Sequence, residues 1–569
     1  MKRKIIPVLI ALILIVLVVG VAISMRQKEK VSYGTDVMDL RTYFDVEEGK
    51  LAIYLQEERV AEKALLIDGT CYLNLTFVKS YLNDQFFYDW TEKKLIYTDA
   101  LGSFVATPGE DGYLQYGEKK NAGYKACILE GESPFLALPF VGMLSSLEYY
   151  VNDYRLLIKT SWEPYESAQV TADTKIRYQG DVKSEILCDA KVGESLEIME
   201  NLPTWSRVRN DEGIIGYVEN TCLGASWTVT PERKPVKSDY EAPEYTSDRL
   251  YEKVCLGWHA IGGVGGNSTL EEMVANTEGM NVISPTWFSL SDNEGGFRSF
   301  GEASYVTRAH KYGYEVWPAW DDFNYRLETG ENIDDTAIFS SSEKRGKLIS
   351  NMINTSKSLG VDGINLDFEK IGAECSEYYG QFLRELSAEC RKNALTLSVD
   401  NYMPNEGNKQ YRYDVQGQVV DYVILMGYDE HWHGSKNPGS VASIGFITDG
   451  ITKTLENVPA EKLINAVPFY TILWKLDGTE VTDEYLTLVN QADFIKRMKV
   501  TPVWDEGTCQ NYAEWSSNGK TYKVWLEDLD SISMKLNVMS AKGLAGVAAW
   551  RLGYGTQEIW TLLSAFKQM

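Results

Sequence analysis

One alternation, repeated eight times between Leu250 and Met569, constrains this chain more than any other feature. Apolar, strand-like runs (VCLGWHAI, MNVISPTWFSL, YEVWPAWDDF, VDGINLDFE, LTLSVDNYM, VDYVILMGYDEH, LINAVPFYTILW and GLAGVAAWRL) are separated by helical patterns such as EKRGKLISNMINTSKSLG and SEYYGQFLRELSAECRKN. Runs this apolar suit strands buried on both faces, and strands alternating with helices build a parallel sheet covered by those helices. Eight such units in about 320 residues predict an α/β chain folded as a (β/α)8 TIM barrel. The stretch between the seventh and eighth runs, roughly Asp477 to Lys535, alternates Tyr, Trp and Val and is read as an inserted α+β subdomain.

Polar side chains gather at the C-terminal ends of these runs: His259, Trp287, Asp321, Asp367 with Glu369, Asp400, Tyr428 with Asp429, and Trp550. Barrel active sites sit at that end, so a polar residue on nearly every strand predicts a cleft. Each tryptophan taken singly (Trp287, Trp317, Trp320) suits packing before sugar stacking, and His259 suits core or site equally. The fourth run, GVDGINLDFEK, is the sharpest. Residues two apart on a strand share a face, so Asn365, Asp367 and Glu369 point one way and Ile364, Leu366 and Phe368 the other. Two neighbouring carboxylates disfavour joint ionisation and raise one pKa, which is useful where an acid must stay protonated at neutral pH. The plain alternative is a solvated edge strand, against which the apolar partner face and Gly363 argue.

The first half reads differently. Residues 1–30 carry MKRK and then the uncharged run IIPVLIALILIVLVVGVAIS, twenty residues, followed by Arg26, Lys28 and Lys30. That length predicts a transmembrane helix anchoring the chain, with the body outside the cytoplasm; a cleaved signal peptide has a shorter apolar core. Residues 35–165 hold two similar segments, each strand, turn, strand, short helix and hairpin, read as a small α+β stalk. Residues 166–227 are short strands, including the hairpin TWSRVRNDEGIIGYV, read as a small all-β barrel. Residues 228–249 are a charged, Pro-containing linker, and 250–569 are the barrel. A net charge of −25 excludes nucleic acid as a partner, since phosphate binding needs a basic surface. With four histidines and eight cysteines in no metal-ligand spacing, no metal or other cofactor is expected. Cys188 with Cys222 and Cys71 with Cys127 are possible disulfides in an exported chain, and free buried thiols are the alternative.

The motifs Asp362-Gly-Ile-Asn365-Leu-Asp367-Phe-Glu369 on the fourth strand, Met426-Gly-Tyr428-Asp429 on the sixth and Trp550 on the last resemble, in order, those of glycoside hydrolase family 18. GYDEHWHG and AGVAAWRLG are similar to its spore-cortex and cell-wall branch. The resemblance implies a retaining hydrolase cutting β-1,4 links after N-acetylglucosamine, most closely in peptidoglycan, with the substrate's own acetamide as nucleophile. It implies Glu369 as general acid, Asp367 and Tyr428 as catalytic partners on the acetamide, and Asp429 and Trp550 around the sugar; Asn365, Trp287 and Asp400, from their strand positions, are further candidates for substrate binding. The family pattern has Asp where this chain has Asn365, and Asn cannot titrate. The repeats over 35–165 resemble a copper-amine-oxidase-like N-terminal domain, without copper ligands here. Residues 166–227 resemble a bacterial Src-homology-3 type domain, which implies cell-wall peptide as a further partner. A noncatalytic glycan-binding surface protein and a chitinase or endoglycosidase are the competing readings.

Overall fold

The computed structural model describes residues 15, 16, 18, 32–56, 58–232, 240–246 and 252–567. The anchor expected near the N-terminus lies almost entirely outside them, and among the described residues no helix is long and apolar enough to cross a membrane. Packing divides the chain into two units, Met1–Asp84 with Ala126–Glu241 and Gln85–Lys125 with Ala242–Met569.

The first unit holds two seven-stranded sheets. In one, strands Thr70–Asn74 and Ser133–Ala137 pair antiparallel, and each runs straight into a short helix, Leu75–Tyr81 and Leu138–Met143. The other sheet, built from strands between Tyr165 and Val229, is antiparallel throughout. The hairpin Trp205–Arg209 to Ile215–Glu219 turns on Gly213, whose φ of 68° is open to glycine at no steric cost. All eight cysteines are free thiols, so neither pairing considered from the sequence is made.

The second unit contains the barrel. Its strands are β1 (Val254–His259), β2 (Val282–Leu290), β3 (Ala319–Asp321), β4 (Gly363–Asp367), β5 (Thr396–Asn401), β6 (Tyr422–Met426), β7 (Leu463–Pro468) and β8 (Gly546–Trp550). Every neighbouring pair is parallel, and β8 pairs with β1 to close the ring. The helices that follow them are α1 (Leu270–Val274), α2 (Ala303–Lys311), α3 (Ser342–Leu359), α4 (Ser376–Lys392), α5 (Tyr413–Val419), α6 (Ile444–Thr454), α7 (Leu529–Ala541) and α8 (Gln557–Phe566). The α3–β4 connection shows why this sequence folds so. Ser341 caps α3 by accepting from the Lys344 amide, and Gly360, at φ 72°, ends it in the left-handed conformation. Gly363 then starts β4 where a Cβ would lie 2.7 Å from both the Thr396 carbonyl and the Trp317 ring, so only glycine lets the strands approach.

Two cores result. Outward-facing side chains of the strands pack under the helices, among them Ile364, Leu366, Phe368, Leu397, Val399, Val423 and Leu425. Inside the ring, Val254, Leu256, Trp317, Tyr422, Ile424, Ile464, Ala466 and Ala548 fill the barrel. Between β7 and β8 lies a five-stranded antiparallel sheet (Tyr470–Asp477, Glu480–Thr487, Val503–Asp505, Gln510–Ser517, Lys520–Leu526) with the helix Leu488–Met498. It begins at Tyr470, inside the run read from the sequence as the seventh strand, and ends at Leu526, before α7, whereas the sequence reading puts the insertion at Asp477 to Lys535.

Candidate active site

Alternation along the barrel strands decides which side chains reach the interior. Because Ile364, Leu366 and Phe368 are outward, Asn365, Asp367 and Glu369 turn inward. The same parity brings Ser398, Asp400 and Tyr402 inward from β5 and its exit, Met426 and Tyr428 from β6, and Trp550 from β8. With Thr286, Arg298, Asp321, Asp429, Tyr470 and Tyr485, most of these line a cavity of about 660 Å3 at the C-terminal end of the strands. A second cavity, of about 730 Å3, shares Glu369, Tyr402, Tyr428 and Asp429 with the first and adds Ile371, Asn408 and the exposed Trp432. Glu369 therefore stands where two contiguous spaces meet.

Asn365 lines neither space. It is fully buried: its Oδ1 accepts from Trp258 Nε1 (3.0 Å) and Ser284 Oγ (3.1 Å), and its Nδ2 donates to Ser398 Oγ (3.0 Å) and Asp400 Oδ1 (2.7 Å). That fills the capacity of a primary amide. Asn365, expected beside the sugar, is instead a clamp beneath the floor. Asp367 sits one pleat further along, in register with Asp321 of β3. Its Oδ1 is buried without a hydrogen-bond partner. Burial, then the charges of Glu369, Asp400, Asp321 and Asp322, hold its pKa well above the usual carboxylate range.

The Glu369 carboxyl is also pushed up, first by burial. Two neighbours oppose this: the Tyr402 hydroxyl donates to Oε2, and Lys370 lies nearby. The backbone at this point is fixed by Asp322, whose carboxylate accepts from the amides of Glu369 (2.9 Å) and Lys370 (2.8 Å). Asp322 is itself fully buried and pushed up to about 8, by burial and then by Asp335. Asp429 takes a φ of 60° and accepts from the Tyr470 hydroxyl (2.5 Å); burial raises its pKa. The Tyr428 phenol is held neutral, well above its ordinary pKa, by burial and then by Asp367, Asp400 and Asp429. Trp550, half-buried, faces Trp258 at 6.0 Å between ring centroids and 60° between planes, and its peptide bond to Arg551 is cis.

Two residues from the strand ends are elsewhere. Trp287 does not reach the cavity: it is 1% exposed, donates from Nε1 to Asn267 Oδ1 (2.8 Å) and packs on Tyr305 and Phe288. Its parity on β2 is opposite to that of Ser284 and Thr286, which face inward, so the expected sugar contact is corrected to a core position. His259 is bridged between the hydroxyls of Tyr305 (2.8 Å) and Thr269 (3.0 Å), and burial pushes its imidazole down to about 4, so it is a neutral structural group. Conversely, sequence reasoning missed Tyr402, Asp322, Arg298, Tyr470 and Tyr485. Tyr402 had a signal, lying two residues beyond Asp400; Tyr470 and Tyr485 come from the inserted sheet and had none.

The chemistry open to this arrangement is proton transfer at neutral pH. Asp321, Asp367, Glu369, Asp400 and Asp429 all have raised pKa values at one cavity, so some of them carry protons where an isolated carboxyl does not. Among the described residues no group of three or more His, Cys, Asp or Glu is placed to hold a metal ion.

Comparison with known proteins agrees on this region. Residues 330–555 match the model of Glycosyl hydrolases family 18. The chain is similar to the Cortical fragment-lytic enzyme of Bacillus anthracis, 28% identical over 228 residues that cover 38% of this chain and 53% of the relative. It is also similar to the Cortical fragment-lytic enzyme of Bacillus subtilis (strain 168), 28% identical over 227 residues, 38% of this chain and 52% of the relative. The chain thus spans about half the length of these curated relatives. The barrel fold is shared with the crystal structure of the Bacillus cereus spore cortex-lytic enzyme SleL, at 21% identity and a TM-score of 0.50, over 58% of this chain and 79% of that one.

Proposed function

We propose that this family 18 region is a retaining glycoside hydrolase that cuts β-1,4 links after N-acetylglucosamine in peptidoglycan or cortex glycan. The observation that carries the reading is Glu369, a half-buried acid with a raised pKa at the junction of two cavities, with Asp367 two residues earlier on the same inner face. A glycan lying through both spaces would present its scissile oxygen to Glu369. Glu369 gives its proton to that oxygen as the C1–O bond breaks. The carbonyl oxygen of the substrate's acetamide attacks C1 and forms an oxazolinium ion, a substrate-assisted route within the retaining scheme. Asp367, with its unpartnered Oδ1, accepts from the acetamide N–H and balances the positive charge. The neutral Tyr428 phenol donates to the acetamide oxygen, Asp429 holds a sugar hydroxyl, and Trp550 stacks beneath the ring. Water then opens the ion and returns a proton to Glu369. The names of the relatives favour cortex or wall glycan over chitin. The same proposal places the catalytic unit outside the cytoplasm on an anchor at residues 5–24, with 35–165 as a stalk and 166–227 taking wall peptide.

The test uses purified peptidoglycan, cortex fragments and N-acetylglucosamine oligomers, with new reducing ends identified by mass spectrometry. New N-acetylglucosamine ends are expected from the wild type. Glu369→Gln, which keeps the shape and removes the proton, is expected to bind glycan without cutting it. Turnover by Glu369→Gln would remove Glu369 from the acid role. Products from chitin oligomers alone would move the substrate to chitin, and equal binding by both forms without products would favour a glycan-binding surface protein.

A further inference from the structure

Asp400, the next-to-last residue of β5, has only 3% of its surface exposed. The groups that face it are Asn365, Asp367 and Glu369 from β4 and its exit, Trp258 from β1, Tyr428 from β6, and Tyr379 from α4; none of these is a cation. Its Oδ1 is held at 2.7 Å by the Asn365 amide, which is locked in turn by Trp258, Ser284 and Ser398. Asp367 is the next inward residue after Asn365 and carries a buried oxygen without a hydrogen-bond partner. Asp367 and Asp400 directly follow the paired residues Leu366 and Val399 on neighbouring strands and line one cavity, and two carboxyls placed so disfavour joint ionisation.

We propose that Asp400 is a positioning residue for Asp367, the two acids carrying one proton between them at neutral pH, with Asn365 as the fixed spacer that holds Asp400 in place. When Asp400 carries the proton, Asp367 is the anion that receives the acetamide N–H; when the sugar leaves, either acid carries it. No proton is gained or lost by the pair over a catalytic cycle. The charge that balances the reaction is thus set by a residue on the neighbouring strand, not by position 365. The sharing of the proton follows from the pocket alone; its use in catalysis rests on the hydrolase reading above. Burial raises both carboxyls; Glu369 raises each further, and Asp400 adds to the rise at Asp367.

The test compares the wild type, Asp400→Asn, and the exchange Asn365→Asp with Asp400→Asn. The exchange moves the carboxyl across one hydrogen bond: an aspartate at 365 still accepts from Trp258 and Ser284, and from the Ser398 hydroxyl after it rotates. Infrared difference spectra at neutral pH count protonated carboxyls without requiring activity. Asp400→Asn is expected to lose one protonated-carboxyl band and the exchange to regain it, with unchanged unfolding temperature as the check on folding. In pH profiles of kcat/KM, Asp400→Asn frees Asp367 from a neighbouring acid and lowers its pKa. The acid limb then moves to lower pH by about one unit, and the exchange moves it back. A folded Asp400→Asn with the wild-type band and profile overturns the proposal, as does an exchange variant that restores neither. If the wild type cuts no glycan, the hydrolase reading fails and the infrared count alone still decides whether the proton is shared.

Discussion

Glu369 is set by two opposed contacts, and that makes its behaviour predictable. Burial raises its pKa, while the Tyr402 hydroxyl, by donating to Oε2, favours the ionised form and lowers it. Tyr402→Phe removes only the lowering contact, so the pKa of Glu369 rises and the acid stays protonated to higher pH. The basic limb of kcat/KM is expected to move toward alkaline pH, measured on the same glycan as the wild type; a limb that stays put or moves down would contradict the assignment of that limb to Glu369. The face of Asp367 and Glu369 was legible in the sequence because strand parity is local: seven residues fix which way each points. Trp287 shows the same rule neglected, since its own strand has Ser284 and Thr286 on the inner parity. Asn365 was read on the correct face but one layer too high, because parity gives direction and not depth. Asp322 was out of reach, as its bond to the amide of Glu369 spans 47 residues and leaves no periodic trace.

At the level of elements, the inserted sheet returns to the barrel through a buried ion pair. Glu527, at its end, accepts from Lys535 Nζ at 3.0 and 2.8 Å, from Gln510 Nε2 at 2.7 Å and from Ser531 Oγ at 2.9 Å. Asp528 caps α7 by accepting from the Ser531 amide, while the Ser531 hydroxyl receives the Asp528 amide. Both ends of the Glu527–Lys535 pair are essentially without exposure, at 0% and 1% of the side chain. Lys535→Met leaves a buried carboxylate without its cation and is expected to cost about 3–5 kcal/mol of unfolding free energy, read from the urea midpoint. Adding Glu527→Gln to that variant is expected to recover part of the loss, and a double variant weaker than the single would contradict the pairing argument. The eight barrel strands were legible because each is a short apolar run followed by a helical period. The inserted sheet was legible as a type but not in its pairing, because the register of Tyr470–Asp477 with Glu480–Thr487 and with Lys520–Leu526 joins segments up to tens of residues apart.

For the molecule as a whole, the buried acids with raised pKa values act against the fold as pH rises. A carboxyl raised in the native state binds its proton more tightly than it does unfolded, so between the unfolded value and the raised one the native state holds more protons. Stability then falls with rising pH. Asp322, with an ordinary value of 3.8 and pushed to about 8, spans a wide window, and Asp335, pushed to about 6, lies inside it. The net charge of −25 works in the same direction through self-repulsion. Thermal unfolding is expected to show a higher midpoint near pH 5 than near pH 8 at fixed ionic strength; a midpoint level or rising over that interval would sink this account. One part of the cavity lining has a different character. Tyr470 and Tyr485 stand on strands joined by a continuous antiparallel ladder, Tyr470 opposite Thr487 and Ile472 opposite Tyr485. A surface already ordered by its own backbone bonds loses little conformational freedom when a polymer settles on it, so the entropic cost of capture falls on the sugar chain. On the hydrolase proposal, a glycan would meet at this wall a surface ordered before it arrives.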